Sequence, residues 1–121
     1  MPKRSTVEAF AATVEGNDHV GAILKFYALD ARTQENNNAP RIGRDLLAER
    51  ERHVLASVAG VETTRLGPIF VEGDHSAICW RFVFTGKDGK VRAMEEMALQ
   101  TWRGEELVEE RFFYDPRQMA G

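Results

Sequence analysis

The fold of this chain is decided by the stretch Ser76-Ala-Ile-Cys-Trp-Arg-Phe-Val-Phe-Thr85, in which apolar residues alternate with a period of two. Arg81 and Thr85 mark one face of this stretch. The even positions of the other face are large and apolar, namely Ile78, Trp80, Phe82 and Phe84. The alternation predicts a half-buried strand whose even-numbered side chains face the core.

Further strands surround this one. From Val61 onward the hydrophobic period is two, and turn signals lie at Gly73-Asp74, Asp88-Gly89 and Arg103-Gly104. Short turns of this kind join antiparallel neighbours. The second half of the chain is therefore predicted to form four strands in an antiparallel meander.

Helical periodicity dominates the first half of the chain. A capping box at Ser5 begins a helix that ends at Gly16, and Asp18 caps a second helix. A short strand is predicted at 31–35, and a third helix at 44–57. The order α-α-β-α-β-β-β-β predicts an α+β fold in which three helices cover one face of a strongly curved sheet.

Length and composition limit the possible classes of function. The chain has 121 residues, a net charge of -3, 43% hydrophobic residues and a single cysteine, Cys79. These values predict one domain over residues 1–121, and the lone cysteine favours a reducing, cytoplasmic environment. Acidic and basic residues are nearly balanced, so no basic patch for nucleic acid is predicted. No apolar run reaches the ~20 residues that span a bilayer. We therefore expect neither nucleic acid nor membrane as a partner.

The last strand contains an unusual acidic residue. Glu110 shares a predicted inner face with Val108, Phe112 and Tyr114. An unpaired carboxylate on an apolar face is costly unless it lines a wet cavity or has a partner. We therefore interpret Glu110 as a cavity residue.

The strand at 91–102 can be read with either face inward. A three-residue turn, 103–105, would place Ala98 opposite Glu110 and bring the even faces together. Glu96 and Glu110 would then be diagonal neighbours, with Cα atoms roughly 7–8 Å apart. A two-residue turn would instead pair even with odd positions and leave Glu96 as an exposed strand residue. In the first register the two carboxyls share a pocket that raises at least one pKa and suits general acid–base chemistry.

The opposite face of the sheet also carries apolar residues. They are Val83, Met97, Leu99 and Phe113. Exposed together, they would form a sizeable apolar patch on the convex side. We therefore expect a homodimer through this face.

Several segments resemble the nuclear transport factor 2-like superfamily, and within it the SnoaL-like polyketide cyclases, ketosteroid isomerases and limonene epoxide hydrolases. The resemblance covers nearly the whole chain and rests on the element order and four sequence features. These are Gly16-Asn17-Asp18 before the short helix, Ala28-Leu29-Asp30-Ala31, Gly43, and the closing stretch Leu107-Val-Glu-Glu-Arg-Phe-Phe-Tyr-Asp-Pro116. It implies a cone-shaped α+β barrel with helices in the concave face of a mixed sheet. The same fold hosts many chemistries.

The resemblance also implies roles for single positions. The general base of the steroid isomerases falls on Glu35, whose alternative is a solvated residue before the Asn-rich loop. Their enolate-binding acid falls on or near Ala98, and their tyrosine falls near Phe10, so neither role is preserved. The final-strand aspartate of the epoxide hydrolases falls on Phe112, which disfavours that activity.

The candidate site consists of three acids and a set of ligand-contacting residues. Glu35, Glu96 and Glu110 are the catalytic candidates. Candidate substrate-binding residues are Tyr27, His53, Trp80, Phe82, Ala98, Gln100, Phe112 and Tyr114. Some of these residues also have a purely structural alternative. Trp80 would then pack in the core, the hydroxyls of Tyr27 and Tyr114 would bond to the backbone, and His53 would lie on the surface. No metal-ligand spacing or phosphate loop occurs, so we expect no metal and no cofactor.

Two functions fit these residues. The first is a cofactor-independent isomerase, cyclase or dehydratase in which Glu35, helped by Glu96 or Glu110, moves a proton on a small hydrophobic carbonyl compound. The second is a non-catalytic module that binds an apolar ligand or a protein. The choice depends on whether the three glutamates converge on one cavity.

Overall fold

The computed structural model describes residues 1–120 as three helices and a six-stranded sheet. The helices are α1 (Arg4–Glu15), α2 (His19–Phe26) and α3 (Arg44–Ala56), and a 3₁₀ turn (Pro116–Met119) follows the last strand. The strands are β1 (Tyr27–Glu35), β2 (Arg41–Ile42), β3 (Val58–Glu72), β4 (His75–Gly86), β5 (Val91–Arg103) and β6 (Glu106–Phe113). The predicted α+β class and element order are confirmed, with the two-residue β2 as an addition that is too short to show a period.

The sheet is mixed and open. Its strand order is β2-β1-β6-β5-β4-β3, and only β1 and β6 run parallel. The helices close the concave side, where the ring of Phe10 meets Phe26 and Trp102 edge-to-face at 5.6 and 5.8 Å. Edge-to-face pairs add specific geometry to the burial of aromatic surface. A cone-shaped fold results, although the sheet itself does not close into a barrel.

One of the two predicted helix caps is present. The Asp18 carboxylate accepts a hydrogen bond from the Gly21 amide at 2.9 Å and caps α2 as expected. The predicted capping box at Ser5 is wrong, because α1 begins at Arg4 with Lys3 as N-cap and no side-chain cap within the helix. Glu105, from the β5–β6 turn, accepts the Lys3 amide at 2.9 Å instead. The cap of α1 is therefore a long-range contact.

The first strand is longer than the sequence pattern predicts. We expected a strand at 31–35, but β1 begins at Tyr27, immediately after α2 ends. Tyr27 already has extended backbone angles, φ -74° and ψ 138°. The apolar spacing of the second helix runs on into Tyr27, and this concealed the point where the backbone changes conformation.

The predicted inner face of β5 is confirmed, but the register behind the prediction is wrong. Arg103 pairs with Glu106 across a two-residue turn, and a bulge follows before Thr101 pairs with Glu109. The bulge occurs where the Trp102 amide donates to the Asp74 carbonyl at 2.8 Å rather than to β6. It inserts one residue and restores the pairing of even with even positions.

This register changes the neighbours of Glu110. Glu110 lies opposite Gln100, and Ala98 lies opposite Phe112. Glu96 and Glu110 share the concave face but are not diagonal neighbours. On the near side of the bulge, Leu107 is buried in place of Val108.

Odd-numbered residues face the convex side, as predicted. Met97 and Leu99 are 44% and 38% exposed, while Val83 and Phe113 are partly buried. The Arg111 guanidinium lies 4.7 Å from the centre of the Phe113 ring. This face therefore combines apolar side chains with a cation–π contact.

Candidate functional site

A cavity of about 290 Å³ lies between the helices and the concave face of the sheet. Its walls are largely aromatic and aliphatic. Its charged residues are Glu35, Arg41, Arg50, Glu51, Glu96 and Glu110. All three predicted catalytic glutamates line this one cavity.

The three glutamates differ in depth. Glu96 and Glu110 are 9% and 4% exposed and form part of the floor. Glu35, at the end of β1, is less buried and lies beside Arg41 and Arg50, whose side chains are 39% and 42% exposed. The arginines therefore mark the mouth, and the acidic residues extend from the mouth to the floor.

Glu110 is held by a buried chain of hydrogen bonds. The Tyr27 hydroxyl donates to Oε1 of Glu110, and the Gln100 amide donates to Oε2 at 2.7 Å. Oε1 of Gln100 accepts from the Ser76 hydroxyl at 2.6 Å, and Oγ of Ser76 accepts from the Trp102 indole N–H at 2.9 Å. Every side-chain polar atom in this series of hydrogen bonds has a partner, as burial requires.

The direction of these hydrogen bonds follows from chemistry. An indole N–H only donates, so the Ser76 hydroxyl is free to donate to Gln100, which in turn directs its amide N–H to Glu110. Burial raises the pKa of Glu110, against the lowering effect of the hydrogen bonds from Tyr27 and Gln100. Burial and the nearby Glu110 charge raise the pKa of Tyr27 well above 10, so the phenol remains a donor.

Glu96 has a different environment on the same floor. Its Oε2 is buried and has no hydrogen-bond partner among residues 1–120. Burial, followed by the charges of Glu110, Glu35 and Glu51, raises the pKa of Glu96 to about 8. At neutral pH this carboxyl therefore holds its proton.

Glu35 is a tightly held carboxylate. Arg41 donates to its Oε2 at 2.8 Å, and the Tyr114 hydroxyl donates to its Oε1 at 3.0 Å. Partial burial opposes ionisation, but these hydrogen bonds and the charge of Arg50 lower the pKa of Glu35 below its ordinary value. Beside the carboxylate, burial and the Glu35 hydrogen bond raise the pKa of Tyr114 to about 12.

Arg50 is the least engaged cation at the mouth. Its Nη2 lies 3.6 Å from Oε2 of Glu35, which is an ion pair without a hydrogen bond. The guanidinium carries five N–H donors in a fixed plane. Arg50 therefore has donors available for a ligand that enters beside Glu35.

Most predicted ligand-contacting residues line the cavity. Tyr27, Trp80, Phe82, Phe112 and Tyr114 do so. Ala98 and Gln100 are fully buried behind the cavity wall. The expected place of His53 in the cavity is wrong, because its side chain is 78% exposed and lies 3.4 Å from Glu49 on the outer side of α3.

Sequence reasoning missed four titratable residues of the cavity. They are His19, Arg41, Arg50 and Glu51. His19, the first residue of α2, is partly buried: its Nε2 lies 2.9 Å from Oγ1 of Thr63 and its Nδ1 lies 3.6 Å from Oε1 of Glu51. Helical spacing from Leu47 indicates Arg50 and Glu51, whereas Arg41 follows the Asn-rich loop and has no periodic signal.

The fold is shared with known structures. A provisional SnoaL-like polyketide cyclase from Mesorhizobium loti superposes with a TM-score of 0.77 at 26% identity, over 92% of this chain and 97% of that one. An NTF2-like protein of unknown function from Burkholderia pseudomallei gives 0.80 at 15%, over 96% and 92%. A protein with a ketosteroid isomerase-like fold from Catenulispora acidiphila, in complex with trimethylamine, gives 0.75 at 23%, over 91% and 85%.

The fold is that of the nuclear transport factor 2-like proteins, and the resemblance found in the sequence is confirmed at the level of the fold. Neither a family model nor a curated protein matches the sequence. Within residues 1–120 no helix is long and apolar enough to cross a bilayer. The same residues contain no cluster of three or more His, Cys, Asp or Glu side chains suited to a metal ion.

Proposed function

We propose that this protein is a cofactor-independent enzyme that transfers a proton on a small hydrophobic carbonyl compound. The observation that carries the proposal is the pair at the cavity mouth, an ionised Glu35 with the unbonded donors of Arg50 3.6 Å away. A base beside a preorganised cation suits the formation of an enolate, because negative charge develops on the carbonyl oxygen. The aromatic walls suit an apolar substrate.

In the proposed reaction, Glu35 accepts a proton from the carbon next to the carbonyl group. The electron pair of the C–H bond forms a carbon–carbon double bond, and the carbonyl oxygen becomes an enolate oxygen that accepts hydrogen bonds from Arg50. Return of the proton from Glu35 to another carbon isomerises the substrate. Transfer of that proton to a β-hydroxyl expels it as water and dehydrates the substrate, and attack of the enolate carbon on a second carbonyl cyclises it, with the new alkoxide taking the proton from Glu35. Each outcome leaves Glu35 ready for another cycle.

Because the pKa of Glu35 is low, the proposed reaction needs both Glu35 as the base and Arg50 as a donor to the enolate oxygen. A carboxylate stabilised by Arg41, Tyr114 and Arg50 is a weak base, so most of the rate must come from stabilisation of the enolate. Arg41 and Tyr114 fix the carboxylate from both sides. The third neighbour, Arg50, is placed to hold the substrate oxygen.

The test is hydrogen–deuterium exchange at the α-carbon of 2-tetralone, followed by proton NMR in deuterated buffer. Wild-type protein should exchange this ketone faster than buffer does, and E35Q should lose on the order of 10² of the protein-dependent rate. E95Q, which changes an exposed carboxylate beside Glu96 on the opposite face, should retain the wild-type rate. Tryptophan fluorescence should show that E35Q still binds the ketone.

A non-catalytic binding module is the second candidate function. One observation favours it: both oxygens of Glu35 already accept hydrogen bonds within the protein. In that case the wild-type protein would bind the ketone without exchanging its α-protons faster than buffer. This result would overturn the proposed enzyme.

A further inference from the structure

The cavity floor contains a carboxyl group with one oxygen that no group within residues 1–120 hydrogen-bonds. Oε2 of Glu96 has no hydrogen-bond partner among the described residues, and the residue is only 9% exposed. Buried charged groups normally have a partner. Glu96 lines the cavity, so a ligand there can supply a partner for its carboxyl group.

The charges around Glu96 identify the sign of that partner. The groups that act on its carboxyl through their charge are Glu110, Glu35 and Glu51, all acidic. The two arginines of the cavity are engaged with Glu35 at the mouth. The floor therefore attracts a positive group and repels an anion.

The wall beside Glu96 is suited to a cation as well. Trp80 is the direct cross-strand neighbour of Glu96. Trp80, Phe82 and Phe84 follow one another along β4, with ring centres 6.3 and 6.1 Å apart and planes 31° and 28° from parallel. Aromatic faces attract ammonium groups, and tryptophan does so best.

We propose that this cavity binds a small ligand in which a protonated or quaternary amine is attached to an apolar body, with the cationic nitrogen beside Oε2 of Glu96 and against the Trp80 ring. The apolar body lies along Phe82 and Phe84. This ligand class goes beyond the proposed reaction, since it depends on the floor of the cavity and not on Glu35 as a base. An oxygen at the other end of such a ligand would lie towards Arg50.

Binding of a cation should depend on pH in a defined direction. With a pKa of about 8, the Glu96 carboxyl must ionise to pair with the cation. The dissociation constant of a quaternary amine should therefore rise about tenfold per pH unit below pH 8. The other titratable or charged groups facing the cavity are Tyr27, Tyr114, Glu35, Glu51, Glu110, Arg41, Arg50 and His19. H19Q should keep the pH dependence if Glu96 causes it.

The experiment measures binding of three benzyl compounds by calorimetry at pH 9. Benzyltrimethylammonium should bind at least about tenfold more tightly than benzyl alcohol or phenylacetate to wild type and to E95Q. E96Q should reduce the preference to about threefold or less and remove the pH dependence. Equal binding of the neutral or anionic compound by wild type, or an unchanged cation preference in E96Q, would overturn the proposal.

Two further measurements distinguish failure of the proposed amine site from failure of the proposed enzyme. Carboxyl-carbon NMR of the wild-type protein should show the Glu96 pKa falling when the cation saturates the cavity, and a constant pKa would contradict the proposed contact. E35Q should keep the preference for benzyltrimethylammonium over benzyl alcohol and phenylacetate, with a weaker affinity because the cavity has one acidic charge fewer. Cation binding without ketone exchange would therefore overturn only the proposed enzyme, and exchange without cation preference only the amine site.

Discussion

Gln100 and Glu110 lie directly opposite each other on β5 and β6, and the Gln100 amide donates a 2.7 Å hydrogen bond to Oε2 of Glu110. The pairing depends on the bulge after Trp102, since an unbroken ladder from the Arg103–Glu106 pair would place Glu110 one residue away. The one extra residue at this bulge therefore places Glu110, on the cavity floor, opposite Gln100 and so within the series of buried hydrogen bonds that ends at Trp102.

Removing the Gln100 amide should destabilise the protein. In Q100M both Ser76 and Glu110 lose a buried partner, because Gln100 bridges them. We expect a loss of about 1–3 kcal/mol in the free energy of unfolding, measured by urea denaturation. T101V, on the opposite face of the same strand, should change the free energy by about 0.5 kcal/mol or less. Equal effects of the two substitutions would argue against a special role for the buried chain.

The stability of the protein should depend on pH through Glu96. Its folded-state pKa of about 8 lies above the ordinary value of 4.5, so the folded protein retains a proton that the unfolded chain releases. The contribution of Glu96 is therefore fully present below pH 4.5 and is lost as the pH rises towards 8, by on the order of 5 kcal/mol. In thermal or urea unfolding from pH 5 to 8, E96Q should show a smaller decline than the wild type, the remainder coming from Glu110, whose pKa burial also raises, and E95Q should retain the full decline. A wild-type stability that is flat over this range would contradict a buried, protonated Glu96.

The pKa of Glu35 should rise when its donors are removed. Arg41 contributes the larger hydrogen-bond effect and Tyr114 the smaller one. Carboxyl-carbon NMR titration should therefore give the order R41Q, then Y114F, then wild type, from the highest pKa to the lowest. The reverse order, or no change in R41Q, would be inconsistent with the contacts at the cavity mouth.

We propose that the convex face is covered by a second copy of the chain. Met97 and Leu99 are exposed at the centre of β5, with partly buried Val83 and Phe113 on the neighbouring strands. Light scattering at micromolar concentration should give a dimer mass, and L99K should shift it to the monomer. L46K changes an apolar residue that is 60% exposed on α3 and should leave the mass unchanged. A monomeric wild type would refute the dimer.

The inner and outer faces of the long strands could be predicted from the sequence because they follow the period of two. The buried row Ile78, Trp80 and Phe82 is an example. The bulge at Trp102 could not be predicted, since it depends on a backbone hydrogen bond to Asp74 in a distant turn. The same holds for the cap of α1, which Glu105 supplies across the fold.

The candidate site was predictable in part. A carboxylate among apolar residues identified Glu110, and the resemblance to the steroid isomerases identified Glu35. Their charged neighbours escaped prediction because Arg41 and Glu35 meet across a loop, and because the apolar positions of α3 do not by themselves indicate Arg50 and Glu51. His53 was placed in the cavity by analogy, although its own helix turns it to solvent.

The parallel pairing of β1 with β6 has a consequence for synthesis of the chain. Tyr27 and Glu110 are 83 residues apart, and β1 acquires its long neighbour only after β6 has been made. During translation β1 therefore has only the two-residue β2 as a partner, and unpaired strand edges favour aggregation. The cavity floor forms only after β6 has been made, so a nascent chain that stops before residue 106 contains the residues of the helices and Glu35 but not the complete cavity.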